Sequence, residues 1–269
     1  MIDLAVLEHR SGVLPLAAAF FERGAIDEAV ADPRIGALGL FTPAPEPGFG
    51  AVALTGVPAD GGVLVSGRVR LPGPGSAADG SIVLVRIEEE EEPRLAWLDH
   101  GAPGVLWRGD GPCWLDIEKA AIPDGLVSRP VSLAPGSELF RCLEAYAGVW
   151  ASAAAKIARE GVRALRRAAR ITGFNAAQTV AFGITEVEIE ADLTFAAAER
   201  NPGLAVAAAA ARTLSAVVRK TEDLRDSMGL EIDGPLAGSS AKALIASLGG
   251  APLLENELAR ALGIGEAGG

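Results

Sequence analysis

Proline is spread unevenly along this 269-residue chain, and the unevenness limits what each part can fold into. Fourteen of the 17 prolines lie at or before Pro135, and only Pro202, Pro235 and Pro252 follow it. Proline removes a backbone donor and breaks a helix interior, so long helices are disfavoured in the first half and permitted in the second. The first half supplies strand candidates instead. "GAVALTGV", "GVLVSGRVRL", "SIVLVRI", "RLAWLDH" and "CWLDIEKAAI" are short, Val- and Ile-enriched runs bounded by Gly and Pro. "VLVSGRVRL" alternates apolar and polar positions in part, as a strand with one wet face does. The second half predicts helices over Ser137–Thr172, Gln178–Glu199 and Gly203–Ser227, with Asn201-Pro202-Gly203 as a turn and restart. Two short Leu-rich helices are expected in 239–264, interrupted by Gly249, Gly250 and Pro252.

The expected architecture is therefore α+β: an antiparallel β-domain followed by a C-terminal four-helix bundle. The divisions read from the sequence are a short helical segment over 1–35 with Asp32-Pro33 as its stop, a β-domain over 36–135, a helical bundle over 136–264, and a tail over 265–269. Apolar residues make up 49% of the chain and aromatics only 5%, so the core must be built from Ala, Leu, Val and Ile.

The formal charge of −11 argues against nucleic acid and against anionic membrane surfaces, both of which demand clustered Lys and Arg. The N-terminus lacks a basic stretch before an apolar one and is not read as a signal peptide, and no run is long enough to span a membrane. Cys113 and Cys142 have neither metal spacing nor a disulfide framework, so a reducing cytoplasm is the expected compartment. Glu88–Glu92 reads as a solvated hairpin tip before Pro93. Arg163, Arg166, Arg167 and Arg170 would hold a phosphate or face solvent or a partner. His9 and His100 lack acidic or thiol neighbours at metal spacing and are read as structural or surface residues, so no metal site is expected. No nucleophile elbow, P-loop or dinucleotide-binding glycine motif is present, and the Gly-rich stretch 73–80 links two strands rather than opening a helix.

Four segments, in order, carry a resemblance to a known family. In "LVSGRVRLPGPGSAADGSIVLVRI" (Leu64–Ile87), Gly67 and Asp79 match the Gly and Asp of the pattern L-x-G-x-K-x-[WF]-I-T-N-x-x-x-A-D. "RLAWLDHGAPGV" (Arg94–Val105) is similar to a strand ending in G-x-P-G, and "GPCWLDIEKAAIP" (Gly111–Pro123) to one closing in V-P. "SSAKALIASLGGAPLLENELARALG" matches a closing pattern R-D-A-K-x-x-x-I-Y-E-G-T-x-x-I-Q-x-x-x-I-A-R-x-L at Ala241, Lys242, Gly249, Ala259, Arg260 and Leu262. Over roughly 35–263 the chain thus resembles the acyl-CoA dehydrogenase family, without most of that family's N-terminal helical domain.

The resemblance implies flavin-dependent α,β-dehydrogenation of acyl-CoA thioesters, in which a carboxylate takes the α-proton and FAD accepts a β-hydride. The two family positions for that carboxylate are occupied here by Leu248 and Phe140, neither of which accepts a proton. Glu138 precedes Phe140 by two residues, which turns it about 200° around a helix. Of the flavin contacts, the W-I-T tract is replaced by Leu71-Pro72-Gly73, the T-E-P tract is matched only by Thr42, and the R-x-Q-F-G tract only by Arg170, with Gly173-Phe174 shifted by one. The Q-x-x-G-G motif has no match near Met228-Gly229. The implied function is that of an acyl-CoA dehydrogenase-like subunit without its own activity, in a homo- or hetero-oligomer with an acyl-CoA dehydrogenase-like chain, FAD binding being in doubt. The alternatives are an active flavoenzyme with a base displaced to Glu222, Asp223, Glu231 or Asp233, and a flavin-independent enzyme on the same fold. Glu255 and Glu257 are read as surface residues. The Ala- and Leu-rich faces of Leu204–Val218 and Leu253–Leu262 serve either as subunit interface or as internal bundle packing.

Overall fold

The computed structural model describes residues 4–42, 48–49, 54–71, 78–108, 113–134, 136–173, 178–200 and 203–228. The expected short helices of 239–264, with Leu248, lie outside them, as do Pro72, Gly73, Phe174, Glu231 and Asp233.

The N-terminal segment is more helical than its sequence predicted. Helix α1 (Leu4–Glu8) runs through a π-helical turn (His9–Val13) into α2 (Leu14–Phe20), and α3 (Ala25–Ala29) follows. Pro15 is tolerated because it sits in the first turn of α2, and the residues joining the three pieces keep right-handed helical dihedrals. Glu8, His9, Gly12, Val13, Leu16, Ala17 and Phe20 recur every three to four residues and form the buried stripe.

Ten strands follow. They are β1 (Gly36–Gly39), β2 (Phe41–Thr42), β3 (Gly48–Phe49), β4 (Leu54–Ala59), β5 (Gly62–Leu71), β6 (Gly80–Ile87), β7 (Arg94–Asp99), β8 (Val105–Arg108), β9 (Cys113–Pro123) and β10 (Val127–Pro130). Eight of them form one sheet in the order β10-β7-β6-β4-β5-β9-β8, with β1 added on β6; β2 and β3 pair separately. The sheet is mostly antiparallel, as expected, with the exception that β1 and β4 both run parallel to β6. The two lie end to end along one edge of β6, β1 beside residues 80–83 and β4 beside 85–87. The β7 strand takes the other edge in an antiparallel register.

The continuous apolar run of β6 has a physical reason: both of its faces are covered. Ile82 and Leu84 point with Leu95 and Trp97 towards the helices. Val83 and Val85 point with Leu98 towards Val65, Val69, Leu71, Leu115 and Ile117 on the other side. Gly80 permits this packing, since a Cβ there would stand 2.4 Å from the Trp97 ring. Gly67 lies at the β5–β9 register shift with φ of +135°, a conformation that favours glycine. The five-glutamate run is a hairpin tip between β6 and β7, as expected, although Glu90 is held by Arg94 rather than left to solvent.

Three long helices complete the described chain: α4 (Glu138–Ile171), α5 (Gln178–Arg200) and α6 (Leu204–Met228). At 34 residues α4 is about 50 Å long. Its start is capped by Ser137, whose Oγ accepts from the Phe140 N–H. Glu138 in the first turn and Arg170 in the last complement the helix dipole, and Gly173 follows with φ of +75°. Ion pairs Arg166–Glu188 and Arg159–Asp192 set α4 and α5 antiparallel. The buried Thr194–Thr213 hydroxyl bond ties α5 to α6.

One apolar cluster runs without a break from the N-terminal helices through one face of the sheet into α4, α5 and α6. The α6 face that the sequence left open between interface and internal packing is internal. Leu204, Ala207, Ala211, Leu214 and Val218 are all buried within this chain. Among the described residues no helix is long and apolar enough to cross a membrane.

Candidate functional site

Of the positions singled out by sequence, Phe140 sits in the first turn of α4. It is buried among apolar residues of the α2–α4 junction and opens onto no described cavity. Glu138, one turn-face away, points outward and pairs with Arg129 at 2.5 Å, both partners being about half exposed. Arg170 is exposed at the far end of the same helix. Leu71 ends β5 with its side chain completely buried inside the sheet's own core. Leu248 and the side chain of Thr42 lie outside the described residues. The structure therefore does not gather Phe140, Arg170 and Leu71 around one space.

Glu222 and Asp223, the described candidates for a displaced base, line a groove of about 330 Å³ with Glu186, Glu190, Arg219 and Lys220. Because α4 and α6 both run antiparallel to α5, this groove lies at the end of the bundle opposite Phe140. Arg163 lines a second groove of about 350 Å³ between α4 and α5, together with Lys156, Arg159 and Phe195. The arginine side of α4 is partly neutralised by α5, through Arg159–Asp192 and Arg166–Glu188.

A concavity of about 750 Å³ opens between the end of α2, the β4–β5 turn and β10. Its polar walls are Glu22, Glu90, Arg94, Asp124, Ser128 and Arg129. Glu90, Arg94, Ser128 and Arg129 are engaged in hydrogen bonds or ion pairs. Arg94 donates twice to Glu90 and once to the Ser128 carbonyl. Ser128 Oγ accepts from the Leu95 N–H and donates to the Arg129 carbonyl, so it has no base and is no nucleophile. Arg129 lies over the Phe20 ring and pairs with Glu138. Arg94 and Arg129 thus have their charge matched by Glu90 and Glu138.

Among the described residues, sequence reasoning missed a strongly perturbed carboxyl. Glu8 is fully buried where α1 meets β1, and Oε1 accepts the Leu38 N–H at 2.8 Å. Beside it His9 Nδ1 accepts the Gly36 N–H at 3.0 Å. Gly36 and Leu38 are alternate residues, so both N–H groups point to the edge of β1 that carries no strand. The two side chains satisfy donors that a neighbouring strand would otherwise take. Burial pushes the Glu8 carboxyl up to about 8, the Leu38 bond opposing it only in part, and pushes the His9 imidazole down. Burial also raises the Tyr146 phenol, and the nearby Glu8 charge adds to the effect. The signal was in the sequence: Glu8 and His9 fall on the helical line of Val13, Leu16 and Phe20, where an exposed residue is not expected.

His100 is structural as well. Its Nδ1 reaches the Ala78 carbonyl and Nε2 the Ser81 Oγ, and Trp107 meets its ring edge-on. Asp79, one of the matched motif residues, joins the strands by accepting the Ile35 N–H at 2.7 Å. Among the described residues no cluster of His, Cys, Asp or Glu suits a metal ion.

No protein-family model matches the sequence, and no curated protein matches it. Solved structures do. Glutaryl-CoA dehydrogenase from Mycobacterium smegmatis superposes with a TM-score of 0.74 over 98% of this chain and 76% of its own, at 16% identity. The fold is acyl-CoA dehydrogenase-like. A glutaryl-CoA dehydrogenase of the same organism in complex with FADH2 gives 0.73 over 96% and 73% at 13% identity. The ChsE4-ChsE5 complex from Mycobacterium tuberculosis gives 0.63 over 99% and 80% at 18% identity. The acyl-CoA dehydrogenase-like fold raises the question of a flavin. Leu71, which the sequence resemblance aligns with an aromatic residue that packs on the flavin, has its side chain turned into the sheet core and does not fit that contact.

Proposed function

We propose that this chain is an acyl-CoA dehydrogenase-like subunit without dehydrogenase activity of its own, assembled with a dehydrogenase-like chain, either a copy or a different one, in acyl-CoA or acyl-carrier chemistry. The observation that carries the reading is Phe140. At a position where the family places a proton-accepting carboxylate, this chain has a ring buried in the apolar core shared by the N-terminal helices and α4. The other family position is Leu248. An apolar side chain at both leaves the α-proton of a thioester without an acceptor. The buried Leu71 supports weak or no flavin binding. The similar structures include one described as a complex of two named chains, which favours an assembly with a dehydrogenase-like partner.

The test is the visible spectrum of the purified protein, followed by titration with FAD and an acceptor-linked assay with acyl-CoA thioesters of several lengths. The expected result is a colourless protein without FAD-dependent thermal shift and without acceptor reduction. A yellow preparation that reduces the acceptor with any acyl-CoA would overturn the reading.

A further inference from the structure

We propose that the outer face of β5, β9 and β8 is a docking surface for an acidic segment of a partner protein. This goes beyond the reading above and does not rest on it. Alternation along β5 turns Val69 and Leu71 into the sheet's core and Arg68 and Arg70 away from it. On β9, Leu115 and Ile117 point inward, so Trp114 and Asp116 point outward. Directly opposed residues share a face, and the registers set two rows across the three strands. Arg68, Asp116 and Leu106 form one row, and Arg70, Trp114 and Arg108 the other. The Arg68 and Arg108 side chains are 63% and 67% exposed, and Leu106 is 55% exposed.

The arginines are held in place before any partner arrives. Asp116 accepts from Arg68 Nε at 2.5 Å and from Arg108 Nε at 3.0 Å, and the Arg68 guanidinium lies 5.9 Å from the centre of the Trp114 ring. Side chains already fixed lose less freedom on binding. Each gives Nε to Asp116, and the planar fork beyond Nε is the part that pairs with a carboxylate bidentately. Arg70, half-buried beside Trp114, makes no ion pair among the described residues. Glu118 and Lys119, exposed at the bulge end of β9, add one charge of each sign. The face thus keeps an excess of positive charge in a chain whose formal charge is −11. That excess calls for an acidic occupant. The face lines none of the three cavities described above, whereas a small anion is bound in a concave site. A protein segment fits instead, its carboxylates on Arg70 and Arg108 and an apolar side chain against Leu106 and Trp114. Arginine and tryptophan are the residue types that carry most binding energy at such surfaces.

The experiment uses the full chain and a fluorescein-labelled peptide of glutamates interspersed with leucine and tyrosine, followed by fluorescence anisotropy at rising salt. The expected result is binding at low ionic strength that weakens as salt is added. Arg70→Glu combined with Arg108→Glu should raise the dissociation constant about tenfold or more, with little change in melting temperature. Leu106→Ser should weaken binding less, and without altering its salt dependence. Arg163→Glu combined with Arg167→Glu, the same charge change on α4, should leave binding unchanged. If the first pair lowers the melting temperature, Arg70→Gln decides, since it removes only the charge that no described residue pairs with; it should still weaken binding. A wild type that does not bind the peptide overturns the proposal. Equal weakening by the α4 pair also overturns it, because the peptide would then be reading net charge alone. Displacement of the peptide by an equal concentration of inorganic phosphate would give the arginines to a phosphate ligand, against the proposal. Self-association of the wild type at low salt that Glu89→Lys/Glu91→Lys abolishes would make the occupant the Glu88–Glu92 hairpin of another copy, and a separate partner would be refuted.

Discussion

Replacing Glu8 with glutamine is expected to change how stability depends on pH far more than it changes the fold. Glu8 titrates near 8 in the folded protein because burial disfavours its charge, against about 4.5 when exposed. Between those values the folded state holds a proton that the unfolded state has released. The contribution of Glu8 is therefore fully present below pH 4.5 and is lost as pH rises towards 8, at about 1.4 kcal/mol per pH unit. The loss amounts to about 3 kcal/mol at pH 7 and about 5 kcal/mol above pH 8. Glutamine keeps the carbonyl oxygen that accepts the Leu38 N–H and has no proton to lose.

Urea unfolding of both proteins from pH 5 to pH 9 measures this directly. The variant should gain on the wild type by under about 1 kcal/mol at pH 5, with the gap widening to several kcal/mol by pH 8.5. His9 and His100 also make stability depend on pH. Burial lowers both, so their contributions grow as pH rises through the region below 6.5. Glu8 is neutral there, so the histidine contributions are common to both proteins and cancel in the difference. Parallel stability profiles, with a constant offset at every pH, would refute the argument that Glu8 is held protonated by its surroundings.

Gly67→Ala should destabilise the protein by on the order of 1–3 kcal/mol in the same unfolding assay, because φ of +135° strains any side chain at the β5–β9 bulge. Ser137→Ala removes the cap on α4 and should cost about 1 kcal/mol, while Ser137→Asp should retain most of it. Phe140→Glu restores a carboxylate at the family position but buries it; it should lower the melting temperature by several degrees and leave acyl-CoA-dependent acceptor reduction at background.

The elements of this fold were legible to different depths. The three long helices were readable to within a residue or two because proline is excluded from them and Ser137, Asn201-Pro202 and Gly173 punctuate them. Strand positions were readable from the apolar runs, but strand direction was not. The parallel pairing of β1 and β4 with β6 depends on which edge of β6 each reaches, and no local pattern encodes that. The π-helical turn at His9–Val13 was likewise invisible, since α1 and α2 share one apolar stripe across it. The matched motif residues turned out to be structural: Gly67 supplies a backbone conformation and Asp79 staples β1 to the strand that follows. The acidic line of α5 in "TEVEIEADL" hid its exposed apolar residues, because Val187 faces inward while Ile189 faces out, and only the packing of α4 and α6 decides which.

Glu8 supplies an internal measure of what Phe140 implies. Both sit on the core between the N-terminal helices, β1 and α4. At Glu8 one backbone N–H bond does not offset burial, and the carboxyl stays protonated through neutral pH. An acid placed at 140 would enter the same apolar cluster, where the Phe140 N–H already serves Ser137. It would hold its proton more firmly than a general base can allow. Activity at this position therefore needs more than a carboxylate; it needs an opened, partly solvated first turn of α4, and here that turn is closed by the packing that fixes the N-terminal helices to the bundle.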